Sequence, residues 1–465
     1  MARVPAYTGI GPAAAAAPVT GNPLLDQPIL RVLVRLSLPN MIAMLAIALV
    51  AIAETVYVGI LGTPALAGMA LVFPMVMLQQ MMSSGAMGGG ISAAISRALG
   101  AGDEARARSL AFHATVIGLA GGLFFTAFFL LLGPQVYRLL GASGAALDEA
   151  VAYSGIVFLG AGGIWLANSF ASILRGSGNM RVPSATLLIA AVLQVLIGGG
   201  FGLGLGPLPR LGMAGVGLGQ LVVFAGSALF LFWYLASGRA RVRLGVHRLG
   251  AELFRDILKV GAVACISPLQ TVLTVLILTR LVAYFGTEAL AGYGIGARLE
   301  FLLIPITFAI GVACVPLVGM AIGAGSVARA RRVAWTAGFL SAGVLGAIGM
   351  VVCLWPDVWA TMFTSDPGVL AAARSYLAWA GPGFGFLGLG LSLYFASQGA
   401  GRVVGPVLTG TLRLAVIAIG GWLLAALDAP AWAMFALVGA AMAVYGIATA
   451  AVIYGAAWGA AGLKR

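Results

Sequence analysis

Twelve apolar runs joined by short polar segments constrain this chain more than any other feature. They fall near residues 36–61, 65–96, 109–132, 148–174, 183–205, 212–236, 257–284, 289–321, 333–355, 370–397, 405–427 and 431–457. Each is long enough to cross a bilayer as a tilted helix. Within hydrocarbon every backbone N–H and C=O must be satisfied inside the segment, so such runs fold as helices. Composition agrees: 61% of the 465 residues are hydrophobic and 8% charged, where a soluble domain carries about 25% charged residues. The expected fold class is an all-α membrane protein with twelve transmembrane helices.

The runs are duplicated. GTPALAG at 62–68 returns as GTEALAG at 286–292, and GAGDEARAR at 100–108 returns as GAGSVARAR at 323–331. The same 223–224 offset carries Tyr153 to Tyr376, Gly176 to Gly399, Gly178 to Gly401 and Pro183 to Pro406. Six spans separate equivalent points, so both halves run the same way through the membrane. They form two pseudo-symmetric six-helix bundles related by an axis along the membrane normal, with a substrate path between them. The expected domains are an N-terminal tail over 1–27, an N-lobe over 28–237, a basic linker over 238–256 and a C-lobe over 257–465.

Net charge of +13 would suit a nucleic-acid binder, but the basic residues sit in loops. Twenty lie on one side, among them Arg97, Arg106, Arg108, Arg239, Arg241 and Arg329, against Arg138, Arg210 and Arg374 on the other. That asymmetry puts both termini in the cytoplasm and requires no nucleic acid; the Ala/Gly/Arg bias points to a bacterial inner membrane. Cys265, Cys314 and Cys353 lie far apart in apolar runs, which suits packing and not a metal site. The glycine runs at 83–90 and 197–206 lack the Lys-Ser/Thr ending of a phosphate loop and read as close-packing segments.

Against this background Glu54 stands out as a carboxylate within an apolar helix. On insertion scales such a residue costs about 2.5–3.5 kcal/mol, so it marks a functional site by default. Desolvation makes the charge on a carboxyl expensive, which suits a group that takes up and releases a proton. The polar groups able to share its cavity are Tyr57, Gln79, Gln80, Ser83, Ser84, Asn168, Ser169 and Gln194, with Trp165 deep enough to face it. Each also reads as interhelical glue. Gln79 and Gln80 diverge by about 100° on one helix, so both do not line one cavity. His113 reads first as a packing residue and second as a proton relay.

The C-lobe holds Arg280, Arg298, Glu300 and Arg413 at membrane depth. Bare charges there should pair, so an internal ion pair of Glu300 with Arg413 or Arg280 is expected. The alternative is a positively biased pocket for an anionic or zwitterionic group.

The runs AETVYVGILGTPALAG, RALGAGDEARAR and ILRGSGNMRVP, in this order and spacing, resemble the MATE (multidrug and toxic compound extrusion) transporters over residues 28–457. The resemblance implies a V-shaped pair of bundles that exports organic, often cationic amphipathic compounds in exchange for H⁺ or Na⁺. Glu54 occupies the position of the family's first-helix acid, as Glu where Asp is usual. Pro39 stands where many members carry a first-helix hinge proline, though it also reads as a helix-entry residue. Members with a proton site in the first bundle often add an Asn and an Asp on the fifth helix; here those positions are Gln194 and Gly198. Members that couple Na⁺ use acids on the seventh and tenth helices, where this chain offers only Asp256 at an edge and none.

The expectation is therefore a monomeric antiporter of small organic compounds in the lipid bilayer. It needs no cofactor beyond H⁺, or less readily Na⁺, and it is neither an enzyme nor a metal protein. The alternative is a flippase or exporter of a lipid-linked or anionic substrate.

Overall fold

Helix packing follows from the composition: apolar side chains face outward to lipid while small residues let backbones approach inside. The structure, a computed structural model, describes residues 23–458. Residues 1–22 of the expected tail, Lys464 and Arg465 lie outside the described residues. Among the described residues ten helices are long and apolar enough to cross a membrane, and two bent pairs, each counted as one span, bring the total to twelve. In the N-lobe these are α1 (Ile29–Leu61), α2 (Thr63–Gly100), α3 (Glu104–Leu139), the pair Gly144–Leu159 and Ala161–Gly176 counted as α4, α5 (Arg181–Leu203) and α6 (Gly212–Ala236). The C-lobe follows with α7 (Ala251–Ala283), α8 (Thr287–Gly323), α9 (Val327–Leu354), the pair Pro367–Ala380 and Gly383–Gly399 as α10, α11 (Val404–Ala426) and α12 (Ala431–Gly455).

The repeat is visible in atomic detail. Gly62 after α1 and Gly286 after α7 turn the chain with φ of 120° and 103°, a conformation that L side chains avoid. A Cβ on Gly68 would lie 2.8 Å from the Ala150 backbone nitrogen, and one on Gly292 would lie 2.6 Å from that of Ala373. The two bends fall at matching places: α4 turns by 44° at Gly160 and α10 by 53° at Gly381–Pro382. The sequence reads each of these spans as one continuous run; a glycine in one case, and Gly-Pro with its missing N–H in the other, breaks the ladder.

Two boundaries differ from expectation. Pro23–Asp26 forms a short helix, and the Arg329 guanidinium donates to the carbonyls of Leu24 at 3.1 Å and Gln27 at 2.7 Å. The end of the expected tail is thus docked on the C-lobe. Helix α7 begins at Ala251, inside the expected linker, where Glu252 and Asp256 pair with Arg106 of α3 at 3.3 and 2.8 Å.

The lobes meet toward the end that carries the basic loops. A Cβ on Gly90 of α2 would lie 2.7 Å from the Gly261 nitrogen of α7, and one on Gly100 would lie 2.8 Å from Met320 Cα of α8. Arg97 of α2 also donates to the Gly399 carbonyl of α10 at 3.3 Å. Along α2 this junction is preceded by six π-helical residues, Met82–Met87. Such insertions recur at functional sites.

Candidate functional site

Glu54 sits two turns before the end of α1 and is 6% exposed. The Gln194 amide of α5 donates to its Oε1 at 2.8 Å. Tyr57, one turn further along α1, and Tyr153 of α4 lie within electrostatic range of the same carboxylate. The Tyr57 ring rests on the glycines of α5: a Cβ on Gly198 would lie 3.0 Å from its hydroxyl, and one on Gly199 would lie 3.4 Å from its ring. Gly198, the position where a second acid was missing, is therefore the seat of Tyr57. A side chain there would crowd the phenol.

Asn168 of α4 builds a second cluster. Its amide donates to Ser83 Oγ at 2.8 Å and to Gln80 Oε1 at 3.5 Å, joining α4 to the π-helical stretch of α2. No hydrogen bond joins this cluster to Glu54 among the described residues. Gln79 is fully buried with neither amide atom partnered, so Gln80 and not Gln79 joins Asn168. Ser84 turns back onto the Gln80 carbonyl at 2.7 Å. Trp165 does not open to a cavity: it is 4% exposed and packs on Phe125 at 5.7 Å, in a groove made by Gly121 of α3. Pro39 lies ten residues inside α1, which removes the helix-entry reading and leaves a break in the backbone ladder. His113 binds the Ser109 carbonyl through Nδ1 at 2.7 Å and accepts from the Gly250 N–H at Nε2 at 2.9 Å. Both ring nitrogens are thereby engaged, Nδ1 within α3 and Nε2 in fastening α3 to the start of α7.

The expected ion pair of Arg280, Glu300 and Arg413 does not form. Glu300 of α8 accepts from the Tyr376 hydroxyl of α10, Arg280 is exposed, and Arg298 lies over the Phe363 ring at 5.3 Å. Arg413 of α11 sits 5.9 Å from the Tyr445 ring, and its Nε is buried without a partner. The tyrosine satisfies the carboxylate from a neighbouring helix, which lets the guanidinium stay apart from it. Glu300 and Arg413 nevertheless line one cavity of about 130 Å³ with Gln270, Thr274, Tyr293 and Tyr445. Tyr376, Tyr293 and Gln270 escaped the sequence reading; the pairing of Tyr153 with Tyr376 in the repeat was the one signal, since each lies beside its lobe's buried carboxylate.

The family profile MatE matches residues 39–198 and again 264–423, one copy in each lobe. The chain belongs to the MatE family. Among MatE-like relatives, a FAD transporter of Shewanella oneidensis is 24% identical over 85% of this chain and 88% of its own length. A probable multidrug resistance protein NorM of Thermotoga maritima is 25% identical over 81% of each chain. The multidrug export protein MepA of Staphylococcus aureus is 25% identical over 84% of this chain and 87% of its own. Two solved structures share the fold. One is a MOP superfamily transporter from Pyrococcus furiosus described by a binding pocket of reverse polarity; its TM-score is 0.86 at 22% identity, covering 93% of this chain and 96% of that one. The other is an outward-facing multidrug resistance MATE transporter, with a TM-score of 0.83 at 23% identity over the same shares. This MatE protein is a multi-pass membrane transporter whose relatives carry the names of a multidrug export protein, a probable multidrug resistance protein and a FAD transporter.

Proposed function

We propose that this MatE protein is a secondary active exporter that moves amphipathic organic compounds out of a bacterial cell in exchange for protons carried by Glu54. The observation that carries the reading is the environment of that carboxyl: buried on α1, facing the Gln194 N–H and a phenol. A sodium ion would need several oxygen ligands converging on it, as hard cations do. Here the carboxylate is met by an amide donor, and the fifth-helix position for a second acid is Gly198. Protonation from the outside would free the lobes to rearrange, and release toward the cytoplasm or displacement by cargo would reset them. With the basic loops in the cytoplasm, lobes joined at that end correspond to the outward-facing half of such a cycle.

A cationic cargo suits Glu54 as the N-lobe's acid. A second reading, an anionic cargo, is favoured by one observation: Arg413, the half-buried cation of the C-lobe cavity, forms no salt bridge with Glu300, which lines the same cavity. The FAD transporter among the relatives fits that reading too.

Proteoliposomes carrying either an imposed pH gradient or an imposed Na⁺ gradient test the coupling. Transport of a fluorescent amphipathic compound should follow the pH gradient alone and disappear in Glu54→Gln. Transport that follows the Na⁺ gradient, or persists in Glu54→Gln, would remove Glu54 from the role of proton carrier.

A further inference from the structure

A guanidinium in the span region is costly unless paired or used, and Arg413 has no pairing that explains it. Its Nε is buried without an acceptor, and no carboxylate lies within salt-bridge distance among the described residues. The Tyr445 ring lies 5.9 Å from it. Two of the other polar groups lining the cavity are already engaged. Glu300 accepts from Tyr376. The Gln270 amide donates to Thr411 Oγ1 at 2.7 Å and to the Val407 carbonyl at 3.3 Å. Among the described residues the Arg413 guanidinium makes no hydrogen bond or ion pair, so its donors are free for an acceptor in the cavity.

We infer that this cavity is an anion subsite, which takes the carboxylate or phosphate of an aromatic compound on Arg413 and the ring against Tyr293, Phe301 and Tyr445. The planar fork of arginine matches both acid groups with two parallel hydrogen bonds. The volume, about 130 Å³, is below the roughly 300–1,000 Å³ of a whole drug-sized site, so it holds one ring with its acid and leaves the rest of a larger molecule in the cleft. The wall is shared between lobes. Gly85 of the π-helical stretch also lines the cavity, and a Cβ there would lie 2.6 Å from the Phe308 ring of α8. An occupant therefore touches both halves of the molecule, which is where a transported compound must sit to bias their arrangement. The inference deepens the export reading and rests on it for the identity of the site as a cargo site, but its binding step needs no proton gradient.

Calorimetric titration of the purified full-length protein with benzoate, phenyl phosphate, benzamide and benzylammonium tests it. At least one of the two acids should bind ten or more times tighter than neutral benzamide. Arg413→Gln should abolish that preference, Arg413→Lys should keep part of it, and Glu300→Gln, which removes the opposing charge, should tighten the acid. Binding of benzoate alone identifies a carboxylate as the ligand group, and binding of phenyl phosphate alone identifies a phosphate. Equal binding of acid and amide, an unchanged acid affinity in Arg413→Gln, or a preference for benzylammonium lost in Glu300→Gln would each overturn the assignment. If Arg413→Gln fails to fold, the opposite shifts expected of Arg413→Lys and Glu300→Gln still decide. Because no gradient is applied, a failure of proton coupling in liposomes and a failure of this subsite are read separately.

Discussion

Gln194 donates its amide hydrogen to Glu54 across 2.8 Å, from the fifth helix to the first. The contact fixes which way the carboxyl faces and holds it against Tyr57 on the glycine seat of α5. A hydrogen bond to a charged group contributes about 1.5–3 kcal/mol, which corresponds to roughly ten- to a hundredfold in an equilibrium. Gln194→Leu should therefore slow proton-driven transport by about tenfold or more at an unchanged yield of folded protein. Initial rates in proteoliposomes check this; rates equal to wild type would make the contact incidental.

The seat itself is testable. A Cβ on Gly198 would lie 3.0 Å from the Tyr57 hydroxyl and 3.3 Å from the Val216 carbonyl. Overpacking of this kind costs about 1–3 kcal/mol. Gly198→Ala should lower the thermal midpoint in detergent, and adding Tyr57→Phe should recover part of the loss by removing the nearest atom. Strictly additive losses in the double variant would show that the two positions do not meet.

The architecture was legible because it rests on long signals: twelve apolar runs and a repeat that keeps register across a lobe. Glu54 was legible because a lone acid in such a run is conspicuous. Contacts made between helices far apart in sequence were not. Nothing local says that Tyr376 reaches Glu300, or that Arg413 is thereby left without a carboxylate, since both depend on how α8, α10 and α11 rotate against one another. Trp165 was misplaced for the same reason: depth along a span is readable, but the face it presents is set by the glycine groove on α3.

His113 separates a structural fastener from a proton relay. It receives the Gly250 N–H at 2.9 Å, binds the Ser109 carbonyl at 2.7 Å, and is fully buried against Phe254 with ring centroids 4.6 Å apart. Replacing it leaves a buried backbone donor unsatisfied, at a cost of about 1–3 kcal/mol. His113→Ala should lower the thermal midpoint while protons still drive transport. A stable variant with uncoupled transport would restore the relay.

Gly90 and Gly261 bring the backbones of α2 and α7 together, with a Cβ on Gly90 falling 2.7 Å from the Gly261 nitrogen and 2.8 Å from its Cα. Neither atom can move without moving a helix, so Gly90→Val pushes α7 away from α2 at the end that carries the basic loops. A penalty of about 1–3 kcal/mol against this arrangement is enough to repopulate an alternative close to it in energy. Spin labels at Ala101 and Ser326, in a background without the three free cysteines, should report a longer and broader distance in the variant. The same substitution should depress transport, because a cycle that cannot close at this end cannot return. An unchanged distance distribution would mean that the other inter-lobe contacts, among them α2–α8 and the Arg97 bond to the Gly399 carbonyl, hold the lobes and that the glycine pair is merely tight packing.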